Sequence, residues 1–126
     1  MKKIFLSLLA CLCLFGGLNL AHAAGYQKIS AQQAKTIMDE GSPYILLDVR
    51  TPEEYKQGRI PGAVSIPLSE LKQRAITELP DKDILIFTYC YRGGRSSQAA
   101  HELVDMGYTN VYDFGGISQW PYETEK

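Results

Sequence analysis

The chain has 126 residues, 45% of them hydrophobic, with 13 basic and 14 acidic side chains and a formal net charge of −1. That length is enough for one domain around a single modest core. The near-balanced charge argues against nucleic acid or an anionic membrane surface as partner.

In chain order, Met1-Lys2-Lys3 carries the only early charge, Ile4 to Phe15 is an almost unbroken apolar run, and Gly16-Gly17 and Ala21-His22-Ala23 follow. This is the layout of a secretory signal peptide over residues 1–23, with cleavage after Ala23. A membrane anchor is the weaker reading, because Gly16, Gly17 and Asn19 interrupt the run before the ~20 apolar residues that a spanning helix needs. Leu8-Leu9-Ala10-Cys11 has the shape of a lipoprotein processing site, but the apolar run continues past Cys11 instead of ending there. Export places the remaining domain, residues 24–126, in the periplasm or another extracytoplasmic space. Loss of the leader also removes Lys2, Lys3, Cys11, Cys13 and His22 and leaves 11 basic and 14 acidic residues.

Ser30 to Gly41 reads as a helix, with a capping box in Ser30 and Gln33, an apolar stripe of Ala34, Ile37 and Met38, and Gly41 as its stop. Tyr44 to Val49 is a continuous apolar run of strand length, the pattern of a strand covered on both faces. Thr51-Pro52-Glu53-Glu54 is a second capping box with proline at the first helical position, giving a short helix from Pro52 to Gln57 that Gly58 ends. Val64-Ser65-Ile66 is a short strand before Pro67. Ser69 to Leu79 repeats the capped amphipathic pattern, with Leu71, Ala75, Ile76 and Leu79 expected to face inward. Ile84 to Tyr89 is the central strand, Ser97 to Met106 a helix with Gly107 at its C-terminal stop, and Val111 to Phe114 a last strand. Gly115-Gly116 begins a tail. Alternating strands and helices predict an α/β domain built on an open, mostly parallel sheet with helices on both faces, where ligands bind at the carboxyl ends of strands.

Two chemistry-bearing segments fall at such ends, Asp48-Val49-Arg50 and the loop Cys90-Tyr91-Arg92-Gly93-Gly94-Arg95-Ser96. Cys90 is an odd thiol in an exported chain, where an intermolecular disulfide or inert burial is the ordinary reading. Its surroundings argue for an activated thiolate instead, because a strand, a glycine-rich turn with two arginines and a helix start aim N–H groups and positive charge at the sulfur. An exposed thiolate of this kind is expected to oxidise readily. His101 lies inside the following helix and is not assigned as a base. No second cysteine remains to resolve a disulfide, and no spacing of ligands suggests a metal. Attack on phosphorus or on a sulfane sulfur is left, and loop length separates them: cysteine phosphatases place five residues between Cys and Arg, whereas Arg95 comes one residue early and Ser96 stands in that position.

Cys90-x-x-Gly93-x-Arg95-Ser96 resembles the active-site loop of the rhodanese family of sulfurtransferases. Asp48-Val49-Arg50, Glu54-Tyr55, Gly58-Arg59-Ile60-Pro61-Gly62-Ala63 and Ile66-Pro67 are similar to that family's first signature. Gly107-Tyr108-Thr109-Asn110-Val111 and Gly115-Gly116 with Trp120 are similar to its closing one, so the resemblance spans the domain as in a single-domain rhodanese. The resemblance implies transfer of a sulfane sulfur from a thiosulfate-like anionic donor to cyanide or a thiol acceptor, small or protein-borne, through a persulfide on Cys90. Arg92 and Arg95 would attract the donor, and the backbone from Tyr91 through Gly93 and Gly94 to Ser96 would cradle the sulfur. Asp48 and Arg50 are expected to brace the loops, since a carboxylate beside the thiolate would raise its pKa. The reaction needs no cofactor and no metal, and a monomer is expected. Two departures stand out: Arg59 where the family commonly has His, and Tyr91 where it commonly has Arg. A persulfide carrier with little thiosulfate turnover, and a phosphatase or arsenate reductase on the same scaffold, are the alternatives.

Overall fold

The computed structural model describes residues 25–126, so the leader expected over residues 1–23 lies outside the described residues. Five strands form one wholly parallel sheet: β1 (Gln27–Lys28), β2 (Tyr44–Asp48), β3 (Val64–Ser65), β4 (Leu85–Cys90) and β5 (Val111–Gly116), in the spatial order β1-β5-β4-β2-β3. Four α-helices connect them: α1 (Ala31–Asp39), α2 (Pro52–Gln57), α3 (Leu71–Glu78) and α4 (Gly94–Asp105). No helix among the described residues is long and apolar enough to cross a membrane.

The sheet separates two apolar layers. On one face α3 and α4 deliver Leu71, Ala75, Ala99, Ala100 and Leu103 against Leu47, Val49 and Ile86. On the other, Ala31, Ala34 and Met38 of α1 meet Leu46, Phe87, Tyr89 and Phe114. Central strands covered on both sides must be apolar on both sides, which is why Ile86, Phe87 and Tyr89 are all fully buried. β4 lies at the middle of this sandwich, and its last residue is Cys90.

Both capping boxes form. The Ser30 hydroxyl accepts the Gln33 N–H at 3.0 Å while Gln33 Oε1 accepts the Ser30 N–H at 2.8 Å, and Thr51 and Glu54 make the equivalent exchange. The third expected cap does not form. Ser69 falls in a 3-10 turn, Leu68–Glu70, and α3 starts after it with no side-chain cap. Ile76, expected to face inward, is 70% exposed. Leu71, Ala75 and Leu79 follow one another at four-residue intervals on the core face, and one residue past Ala75 turns about 100° away from that line.

The remaining differences lie at element ends. α4 begins at Gly94 and not at Ser97, because Gly93 takes a φ of +122° that makes the turn at once, and its carbonyl accepts the Ser97 N–H at 3.0 Å. Gly115-Gly116 closes β5 and does not begin a tail. Strand β1 is two polar residues paired to Tyr112 and Asp113 of β5, with no apolar run to announce it.

Candidate active site

Cys90 is held where the central strand turns directly into α4, with only Tyr91, Arg92 and Gly93 between them. The Gly93 N–H donates to Cys90 Sγ at 2.9 Å, which puts the sulfur at the N-terminal end of a 12-residue helix whose free N–H groups and dipole favour negative charge. The residue is only 1% exposed. The exposed thiolate expected from the sequence is therefore a recessed one, because the loop closes around its own sulfur. Burial alone would push the thiol up. The Ser96 N–H and hydroxyl and the N–H groups of Gly93 and Arg92 around the sulfur outweigh that, and the thiol is held below its ordinary range.

The cradle has a rigid back wall. Between β4 and β5 the pairing steps from Thr88 opposite Asp113 to Cys90 opposite Gly116, so β5 carries one extra residue there. Gly115 accommodates the bulge with a φ of +94°. A Cβ on Gly116 would collide with the Tyr91 carbonyl, and one on Gly93 would come within 3.4 Å of Gly115 Cα. The loop and the end of β5 thus touch backbone to backbone.

Ser96 ties this wall to the loop. Its hydroxyl lies 2.7 Å from Asp113 Oδ1 and 3.1 Å from the carbonyls of Gly93 and Gly115, and Asp113 Oδ1 also accepts the Gly115 N–H at 2.9 Å. Ser96 and Asp113 are both buried. Asp113 has no role in the sequence reading, although a lone acid inside the run Val111-Tyr112-Asp113-Phe114 is the signal that marks it.

The two arginines of the loop part ways. Arg95, in the first turn of α4, is a two-pronged partner of Glu54, with Nη1 2.7 Å from Oε1 and Nη2 3.1 Å from Oε2. That bond fastens the loop to α2, and Arg95 draws the Glu54 carboxyl down to about 2. Arg92 is exposed, its guanidinium 5.5 Å from the centre of the Tyr91 ring. Among the described residues it has no ion-pair partner, so its charge is available at the rim. Tyr91 is 45% exposed beside it.

Asp48 and Arg50 form a buried pair one strand away. Arg50 donates through Nε and Nη2 to Asp48 at 3.0, 3.2 and 2.8 Å, and through Nη2 to the Gly58 carbonyl at 2.7 Å. Tyr89, the neighbour of Cys90, donates its hydroxyl to Asp48 Oδ2 at 2.8 Å and accepts the Ile60 N–H at 3.2 Å. The pair holds the Gly58–Ile60 turn against the end of β4, and the structure shows no hydrogen bond from either residue to the sulfur. Tyr89 and Glu54 belong to this supporting frame and were not singled out from the sequence as site residues. His101 is exposed on α4 and pairs with Asp105 at 3.5 Å. Among the described residues no group of His, Cys, Asp and Glu could hold a metal.

A recessed thiol beside backbone N–H donors, with the Arg92 charge at the rim, is a site that favours an anion, and known proteins resemble the chain across this region. The Rhodanese-like domain family matches residues 30–122. Thiosulfate sulfurtransferase PspE of Escherichia coli is 46% identical over 71 residues, 56% of this chain and 68% of that one. The putative sulfur carrier protein YrkF of Bacillus subtilis is 36% identical over 82% of this chain and 56% of its own length. Among solved structures, a "rhodanese with anions from E. coli" superposes with a TM-score of 0.63 at 40% identity, covering 67% of this chain and 99% of that one. With the fold, the signature segments and the cysteine loop in agreement over the described domain, the chain belongs to the rhodanese-like domain family.

Proposed function

We propose that the protein is a thiosulfate-type sulfurtransferase with Cys90 as nucleophile. The observation that carries this reading is the Cys90 sulfur accepting the Gly93 N–H at 2.9 Å at the start of α4, with its thiol held below the ordinary range. The Cys90 thiolate attacks the outer sulfur of thiosulfate, the sulfur–sulfur bond of the donor breaks, and sulfite leaves with the bonding pair. The outer sulfur of the resulting persulfide carries the negative charge, which the N–H groups of the cradle stabilise without rearranging. Cyanide or a thiolate then attacks that outer sulfur and releases the Cys90 thiolate. No cofactor enters either step.

Arg92 brings the anionic donor to the rim by charge, while Arg95 sets the position of the loop through Glu54. The E. coli rhodanese similar to this chain is described as holding anions, which agrees with an anion-binding loop. Thiocyanate formation from thiosulfate and cyanide by residues 24–126, beside Cys90→Ser, tests the reading. Turnover that disappears in the variant is expected. No turnover from a folded, reduced protein would overturn it in favour of a persulfide carrier, the reading favoured by the likeness to a putative sulfur carrier.

The leader pattern supports export, which would put this activity outside the cytoplasm. N-terminal sequencing of the protein recovered from an envelope fraction should begin at Ala24, and an intact Met1 would refute export by this route.

A further inference from the structure

Resting on the sulfurtransferase reading, we propose that the C-terminal segment Tyr122–Glu125, latched to Arg59, is the outer wall of a cleft for a small amide-bearing thiol acceptor, and that this wall sets which acceptors reach Cys90. The latch has several parts. The Arg59 N–H donates to the Glu125 carbonyl and the Glu125 N–H to the Arg59 carbonyl, both at 2.8 Å, forming one antiparallel bridge beside an otherwise parallel sheet. Arg59 Nε also lies 3.5 Å from Glu125 Oε2, and the guanidinium sits over the Tyr55 ring at 4.7 Å. Upstream, the Trp120 indole N–H donates to the Glu123 carbonyl at 3.1 Å, and Trp120 packs against Phe114 and Tyr122. The segment is thus pinned on both sides of Thr124.

Thr124 faces a cleft of about 520 Å³ whose other walls include Arg50, Glu54, Gln57, Gly58 and Tyr91. That volume is in the range of small-molecule sites. The cleft borders the sulfur loop through Tyr91, which follows Cys90, and through Glu54, which holds Arg95. Its chemistry narrows the occupant. Arg50 is neutralised by Asp48 and Glu54 by Arg95, so the side chains left to meet a ligand are the polar Gln57, Tyr91 and Thr124 and the apolar Ile117. Neutral donors and acceptors of this kind complement peptide-like amides better than a second inorganic anion. Arg59 thereby has a task here that its position in the sequence does not disclose.

The test compares two variants of the wall by a ratio of rates. Cys90 is alkylated with iodoacetamide and with a bulky fluorescein maleimide, a measurement that does not need sulfur transfer. Thr124→Trp fills the cleft and should lower the maleimide-to-iodoacetamide ratio more than threefold. Glu125→Pro removes the N–H of the bridge and should raise it more than threefold. A ratio within threefold of the native protein in either variant overturns the proposal. In Thr124→Trp, kcat/KM for glutathione relative to cyanide should be more than threefold lower than in the native enzyme, and an unchanged ratio would overturn the role of the cleft in selecting acceptors. Absence of thiocyanate formation in the native protein would instead count against the sulfurtransferase reading, with the alkylation ratios still deciding whether the wall exists.

Discussion

At Cys90 two opposing effects meet, and their balance decides whether the residue reacts. Burial in the sheet disfavours the thiolate, and the N–H and hydroxyl donors of Gly93, Arg92 and Ser96 favour it by more. Ser96 is the most easily tested of these groups, because its hydroxyl is the one side-chain contributor among backbone N–H groups and can be removed without touching the backbone. Ser96→Ala should move the pH midpoint of Cys90 alkylation upward and slow alkylation at pH 7 several-fold. An unmoved midpoint would mean that the backbone donors suffice. Glu54 gives a second test at this scale. Its folded carboxyl titrates near 2 because of the Arg95 bond, below the ordinary value of about 4.3. A carboxyl depressed in this way adds stability that is present above its unfolded pKa and lost as pH falls through its folded one. The melting temperature of the native protein should therefore exceed that of Glu54→Gln at pH 6, and the gap should close as the pH is lowered toward 2.

Among the elements, the end of β5 controls the loop as much as the loop's own residues do. Gly115 and Gly116 are needed because a bulge requires a positive φ at the first, and because the Tyr91 carbonyl occupies the space of a side chain at the second. Gly116→Ala must displace backbone in the cysteine loop, so thiosulfate–cyanide turnover should drop at least tenfold while far-UV circular dichroism stays native. Retained turnover would show that the loop tolerates the shift. Helix α3 shows the limit of periodicity read along a chain. Leu71, Ala75 and Leu79 define a narrow stripe, and Ile76 beside it is left in solvent. Apolar character does not say on which side of a stripe's edge a residue falls.

For the whole molecule, the Asp48–Arg50 pair links β2, the Gly58–Ile60 turn and, through Tyr89, the end of β4. Arg50→Ala leaves a buried carboxylate without its cation, a change that ordinarily costs about 3–5 kcal/mol. Urea denaturation should show a loss of that size with an unchanged m-value, and a loss below about 1 kcal/mol would mean that solvent reaches Asp48. The alternation of strands and helices, both formed capping boxes and the strand-to-helix turn that carries Cys90 were legible in the sequence because each rests on contacts within a few residues: apolar runs of strand length, Ser30 with Gln33, Thr51 with Glu54, and a glycine-rich turn after a strand. The two-residue strand β1, the Arg95–Glu54 bond, the burial of Cys90 and the Arg59–Glu125 latch were not. Each joins residues far apart in the chain, where composition and spacing carry no distance information. The sequence by itself thus determined the α/β class and where its candidate site residues fall along the chain. Tertiary structure alone decided that Arg95, and not Arg92, holds the loop, because only folding brings α2 and the start of α4 within hydrogen-bonding reach.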